Sequence, residues 1–196
     1  MTRMWLRPIV LLGCSVLFAC GSSPPTRFYI LNEVAPATPP PAATASNQIP
    51  VRLEPVAIAP ELDRPEIVSR IGPNRVHVAG SDRWAAPLAD QIRRVLSDDL
   101  STRLPPGSVA EPNEPGTNDL RRRLTISIDE FYGDETCAVS LRASWSLMNP
   151  QATSQHGIER VQVPASASCA AELPSAMSHA LSALADRLAK KINEDY

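Results

Sequence analysis

Between Leu124 and Cys169 three runs place apolar side chains at every second position, a period that makes this stretch a meander of antiparallel strands with one face on a core. Leu124, Ile126 and Ile128 form the first run. Cys137, Val139, Leu141, Ala143, Trp145 and Leu147 form the second, and Val161, Val163, Ala165, Ala167 and Cys169 the third. A two-residue hairpin on Gly133-Asp134 pairs Tyr132 with Glu135 and sets Leu124 opposite Ala143, Ile126 opposite Leu141 and Ile128 opposite Val139. A second turn centred on Thr153 sets Trp145 opposite Val161, Ala143 opposite Val163 and Cys137 opposite Cys169. Slips of two residues leave these faces unchanged.

The remaining segments give this meander its partners. Met177, Leu181, Leu184, Leu188 and Ile192, with Ala180, Ala185 and Ala189 beside them, predict an amphipathic helix beginning near Pro174, with Lys190 and Lys191 suiting its C-terminal dipole. Pro87 opens an earlier helix with Leu88, Ile92, Val95, Leu96 and Leu100 on one face, ended by Pro105-Pro106-Gly107. Before it, residues 67–70 and 75–78 flank the turn Gly72-Pro73-Asn74 as a hairpin. Val51, Leu53, Val56 and Ile58 read as an edge or bulged strand whose apolar phase flips at Glu54-Pro55, because Pro removes a ladder donor. Thr26 to Leu31 has strand composition, while 35–50 is a Pro/Ala-rich loop without periodicity. The expectation is an α+β fold: a single domain over 26–196, with a mostly antiparallel sheet and two amphipathic helices packed on one face.

Arg3 and Arg7 precede an apolar run from Ile9 to Ala19, the size of a signal-peptide core and short for a bilayer span. It ends in Leu17-Phe18-Ala19-Cys20, which resembles a bacterial lipobox and makes Cys20 the lipidation site after removal of residues 1–19. Leu11-Leu12-Gly13-Cys14 also has that look, but leaves too short an apolar core. Gly21 stands where an inner-membrane lipoprotein of this kind would carry Asp, so the resemblance implies an outer-membrane anchor facing the periplasm. The mature chain keeps 17 basic against 21 acidic residues, which argues for anchoring by lipid and against a nucleic-acid partner. If the strand at Thr26 belongs to the domain, the tether is residues 20–25 and reaches roughly 17 Å; if everything to Pro50 is loose, the reach approaches about 100 Å. The strand composition favours the short tether.

Chemistry-bearing patterns are few. Cys137 and Cys169 lie in the exported part and share a face in the derived register, so a disulfide is expected, closing a loop worth roughly 3.7 kcal/mol in chain entropy. Two buried free thiols are the alternative. His77, His156 and His179 have no second His or Cys at i+3 or i+4, so no metal or other cofactor is expected. Nucleophile elbows, Gly-rich phosphate loops and HExxH are missing, and no enzymatic site is visible. Arg121-Arg122-Arg123 reads as a charged strand entrance before a lipid-phosphate contact, and Trp84 and Trp145 read as core before ligand platforms.

Residues 62–70 (Leu62-Asp63-Arg64-Pro65-Glu66-Ile67-Val68-Ser69-Arg70), then Gly72-Pro73-Asn74-Arg75-Val76, Asp82-Arg83-Trp84-Ala85-Ala86-Pro87-Leu88 and Ile92-Arg93-Arg94-Val95-Leu96, together resemble the ABC-type transport auxiliary lipoproteins. The Pro/Ala-rich insert and the Cys137/Cys169 pair stand outside that pattern. The resemblance implies a non-enzymatic, periplasm-facing outer-membrane partner of an MCE-domain (mammalian cell entry) protein and its inner-membrane permease, supporting lipid transport and envelope integrity. Arg64, Pro65, Arg70, Arg83 and Trp84 are then the candidate partner-binding surface, with a fold-defining role standing equal beside it. A ring-like homo-oligomer would suit docking onto a tubular partner. The competing functions are a carrier that encloses lipid and an assembly or activator lipoprotein for another envelope machine.

Overall fold

A computed structural model describes residues 24–36, 49–110, 122–151, 153–164 and 169–194, with the side chains of 169–172 left aside. In chain order the elements are β1 (Arg27–Tyr29), β2 (Val51–Leu53), β3 (Ala57–Ile58), β4 (Glu66–Arg70), β5 (Val76–Trp84), α1 (Leu88–Ser101), β6 (Arg122–Gly133), β7 (Val139–Met148), β8 (Gln155–Val163) and α2 (Cys169–Glu194). One sheet holds all eight strands in the order β1-β5-β4-β6-β7-β8, with β2 and β3 also pairing β6. The long ladders β4/β5, β6/β7 and β7/β8 are antiparallel, and the parallel pairings are one to three residues long. The expected α+β domain, its mostly antiparallel sheet and its two helices are therefore present.

The alternation does what its period requires. Leu124, Ile126 and Ile128 face Leu147, Trp145 and Ala143, and all six are buried. The register differs from the expected one by four residues. Gly133 stays inside β6, and the turn instead runs over 134–138, where the Asp134 carboxylate accepts the backbone N–H of Thr136 at 2.8 Å and of Ala138 at 3.0 Å. An Asp side chain that gathers its own loop's donors outcompetes the tighter two-residue hairpin, and Cys137 takes the left-handed φ of 62° that the longer loop needs. The next turn is displaced likewise: Leu141 opposes Val161 and Trp145 opposes Gly157.

Cys169 is not opposite Cys137 in a ladder, because β8 ends at Val163 and Cys169 opens α2. Pro174 lies inside that helix and does not begin it. The stripe Met177, Leu181, Leu184, Leu188, Ile192 is buried against β6, β7 and β8, and α1 packs alongside α2 through its own stripe, with Leu88, Ile92, Val95, Leu96 and Leu100 all buried. Val51 to Ile58 forms two short strands laid end to end along β6, the one strand that either of them pairs, in keeping with the expected edge or bulged strand. The bend at Glu54-Pro55 falls where the Glu54 N–H reaches the Leu124 carbonyl at 2.9 Å, before the chain rejoins β6 at Ala57.

Candidate functional site

The turn before β4 is built from backbone hydrogen bonds: the Leu62 N–H donates to the Ala59 carbonyl at 2.9 Å and the Arg64 N–H to the Leu62 carbonyl at 2.9 Å. Leu62 is buried and pins the turn to the core. The Pro65 carbonyl accepts the Trp84 N–H at 2.7 Å, which fixes the Arg64-Pro65 corner against the end of β5. A shallow cleft of about 320 Å³ results, lined by Asp63, Arg64, Pro65, Trp84, Pro87 and Leu88 among others. Trp84 is itself only 5% exposed, so its ring is a floor of packed core and not a free stacking platform.

Outside the cleft, Glu66 gathers two guanidinium groups, Arg64 Nε at 3.1 Å and Arg83 at 4.0 Å. The hydrogen bond from Arg64, foremost, holds the Glu66 carboxyl below the usual carboxylate range. Both arginines remain roughly two-fifths exposed. Arg70 belongs to a second cluster. Its guanidinium lies 4.7 Å from the Tyr132 ring centroid and 3.7 Å from Glu130, while the Tyr132 hydroxyl donates to Glu61 at 2.9 Å. Burial first, and then this bond to Glu61, push the Tyr132 phenol up to about 12. The five candidate residues thus divide: Arg64, Pro65, Arg83 and Trp84 meet around one corner, and Arg70 stacks at the other side of the same turn.

Of the other sequence candidates, Cys20 lies outside the described residues, and so does the side chain of Cys169. Cys137 is buried at the tip of the β6–β7 turn. Trp145 is buried in the core against Gly157. Arg122, read from the sequence as part of a charged strand entrance, does open β6 but is only 1% exposed, and its guanidinium donates to the Ile49 carbonyl at 3.1 Å and to the Ile192 carbonyl at 3.2 Å near the end of α2. A buried cation beside a helix C-terminus neutralises the carbonyl end of that helix. Among the described residues no group of three His, Cys, Asp or Glu converges as metal ligands, and no helix is long and apolar enough to cross a membrane.

A strap over the two helices was not legible in advance. After β1 the chain runs extended through 31–34, and side chains take its backbone groups. The Leu31 N–H donates to Gln91 at 2.9 Å, the Asn32 N–H to Ser178 at 3.1 Å and the Val34 N–H to Asp99 at 3.0 Å, while the Leu31 carbonyl accepts Arg94 at 2.6 Å. Arg103, 4% exposed, completes the arrangement by donating to the Val34 carbonyl, Asp99, Ser182 and Asp186. Burial pushes the Asp99 carboxyl above its ordinary range, although the Val34 N–H and Arg103 pull it down. The available signal was spacing: Asp99 sits seven after Ile92 and four after Val95, on the buried stripe of α1, with Arg103 four further on.

The chain is 27% identical over 149 residues to the intermembrane transport lipoprotein PqiC of Escherichia coli strain K12, covering 76% of this chain and 75% of that one, and matches the PqiC of Shigella flexneri to the same extent. Two crystal structures share its fold. One, of an uncharacterised protein, has a TM-score of 0.71 at 20% identity over 86% of this chain and 99% of that one; the other, of a Xanthomonas campestris protein, has 0.65 at 19% identity over 82% and 92%. The family described as ABC-type transport auxiliary lipoprotein component matches residues 29–189.

Proposed function

The chain belongs to the ABC-type transport auxiliary lipoprotein family, and from that premise we propose that it is a non-enzymatic outer-membrane lipoprotein that docks the distal end of an MCE-type lipid-transport assembly. Lipidation is at Cys20, with Gly21 directing the mature protein to the outer membrane. The relative named as an intermembrane transport lipoprotein supports a role between two membranes. The observation that carries the reading is the integration of β1 and the strap. With Arg27 already hydrogen-bonded to Asp82 in the sheet and Leu31 to Val34 held by both helices, the chain joins the sheet seven residues after Cys20. A chain of that length spans at most about 24 Å, so the domain stays at its membrane and presents a fixed target to a partner reaching across the periplasm.

The Arg64, Pro65, Arg83 and Trp84 corner is the docking surface in this proposal: exposed guanidinium groups over a rigid, apolar-floored cleft combine orientation with buried contact area. Arg70 and Tyr132 support it by holding the turn through Glu61. Cross-linking in intact envelopes followed by affinity purification tests the reading. Recovery of an MCE-domain protein or permease subunit, reduced at least tenfold in an Arg64→Ala, Arg83→Ala double variant that still folds, is the expected result. Recovery of neither subunit from the unaltered protein would count decisively against it.

A further inference from the structure

Phe28 and Ile30 are 66% and 53% exposed, the largest exposures among the bulky apolar side chains described. They stand two residues apart on an extended segment, hence on one side of it, while Tyr29 between them packs toward the core. The segment is the edge strand of the sheet. Phe28 pairs in register with Arg83, and the neighbouring carboxylates are already held by guanidinium groups, Asp82 by Arg27 at 2.6 Å and Glu66 by Arg64 at 3.1 Å. An aromatic and a β-branched side chain presented outward on an edge strand are a liability in a periplasmic domain unless something covers them.

We infer that Phe28 and Ile30 rest in the headgroup and upper acyl region of the leaflet that carries the Cys20 lipid, so that the anchored domain has one fixed orientation instead of swinging on its tether. The inference rests on the lipidation of Cys20. What selects lipid over a protein as the occupant is chain length: Phe28 lies eight residues after Cys20, which limits its distance from the acylated thiol to roughly 28 Å at full extension and brings it to the leaflet whenever the tether is less than taut. The two acids in the strands beside the pair, Asp82 and Glu66, are held by Arg27 and Arg64, which lowers repulsion from an anionic surface, and half-exposed Arg27 stands next to Phe28 on the headgroup side. The acyl chains supply the affinity and the two side chains supply the angle. That angle in turn aims the Arg64 and Arg83 corner, whose row in the sheet is continuous with Phe28.

The test uses the full acylated protein, purified from membranes and reconstituted into phosphatidylethanolamine/phosphatidylglycerol vesicles with or without a phosphatidylcholine brominated on its acyl chains. Phe28→Trp and Ile30→Trp place reporters at the patch. Met148→Trp, at an exposed position on the far end of β7, is the control. Each protein is first floated with its vesicles, and the emission added by the new Trp is then compared with and without bromine. The expected result is flotation of all three, with quenching at positions 28 and 30 at least threefold that at 148. Flotation with equal quenching at the three positions overturns the leaflet contact while leaving the anchor intact, and points to a protein as the cover of the patch. Failure to float overturns the anchor and this inference together.

Discussion

Replacing Arg103 by Met removes one buried cation from six hydrogen-bonded contacts: Asp186 at 2.5 Å, Ser182 at 2.5 Å, the Asp99 carbonyl at 2.9 Å and carboxylate at 3.2 Å, the Val34 carbonyl at 3.2 Å and the Thr102 hydroxyl at 3.3 Å. Asp186 is half exposed and returns to water at little cost, whereas the Asp99 side chain is 1% exposed and is left charged without its counter-ion. Breaking a buried pair in this way costs about 3–5 kcal/mol, and at roughly 2–4 °C per kcal/mol for a domain of this size Tm falls by about 10 °C. The loss depends on pH with a definite sign. Asp99 ionises at its ordinary value in the unfolded chain and above it in the folded one, so the native state binds the extra proton and stability declines as pH rises through that interval. Without Arg103 the interval widens, and the variant loses more at pH 8 than at pH 5. Urea unfolding at both pH values, with amide exchange at Asn32 and Val34 as the local readout, measures this. An Asp99→Leu, Arg103→Met double variant recovers part of the loss because the stranded charge is gone. A single-variant cost below about 1 kcal/mol, or one independent of pH, refutes the account of the strap as held by this pair.

Four further outcomes are expected. Gly157→Ala places a methyl carbon 3.0 Å from the Trp145 indole and destabilises by about 1–3 kcal/mol, a cost that largely disappears in a Trp145→Val background; equal costs in both backgrounds would contradict the packing described. The phenol of Tyr132 is raised to about 12, so the stability it contributes is complete below its unfolded value of 10.0 and lost as pH climbs through about 12; Tyr132→Phe flattens that alkaline decline in chemical denaturation, and an unchanged slope would show that the Glu61 bond does not operate. On the proposed Cys137–Cys169 disulfide, the acyl-free mature domain contains no alkylatable thiol in non-reducing mass measurement and loses roughly 3.7 kcal/mol on reduction; two modified thiols would end that proposal. Cys20→Ala releases the folded domain into the soluble periplasmic fraction, and continued membrane association would mean that the anchor lies elsewhere.

Side-chain period determined a good deal from sequence alone. A residue that recurs at every second or at every third and fourth place commits its element to a face before any partner is known, which is why the buried sets of β6, β7, α1 and α2 were legible. So was the Gly72 turn, whose φ of 79° suits glycine; the family likeness pointed to Arg64, Pro65, Arg70, Arg83 and Trp84 as one set, whereas the structure sets Arg70 apart with Tyr132 and Glu130. Register was left open by the period, because a slip by an even number of residues keeps every face and changes only energies: Asp134 gathering the donors of its own loop sets it locally, and Gly157 making room for Trp145 on the neighbouring strand sets it in the tertiary structure. The fate of the buried polar groups was decided there too. Gln91, Asp99, Arg103 and Arg122 look like surface residues in the chain, since a charge is tolerable inside only when its partners converge from distant segments, and those partners are the strap at 31–34 and the end of α2.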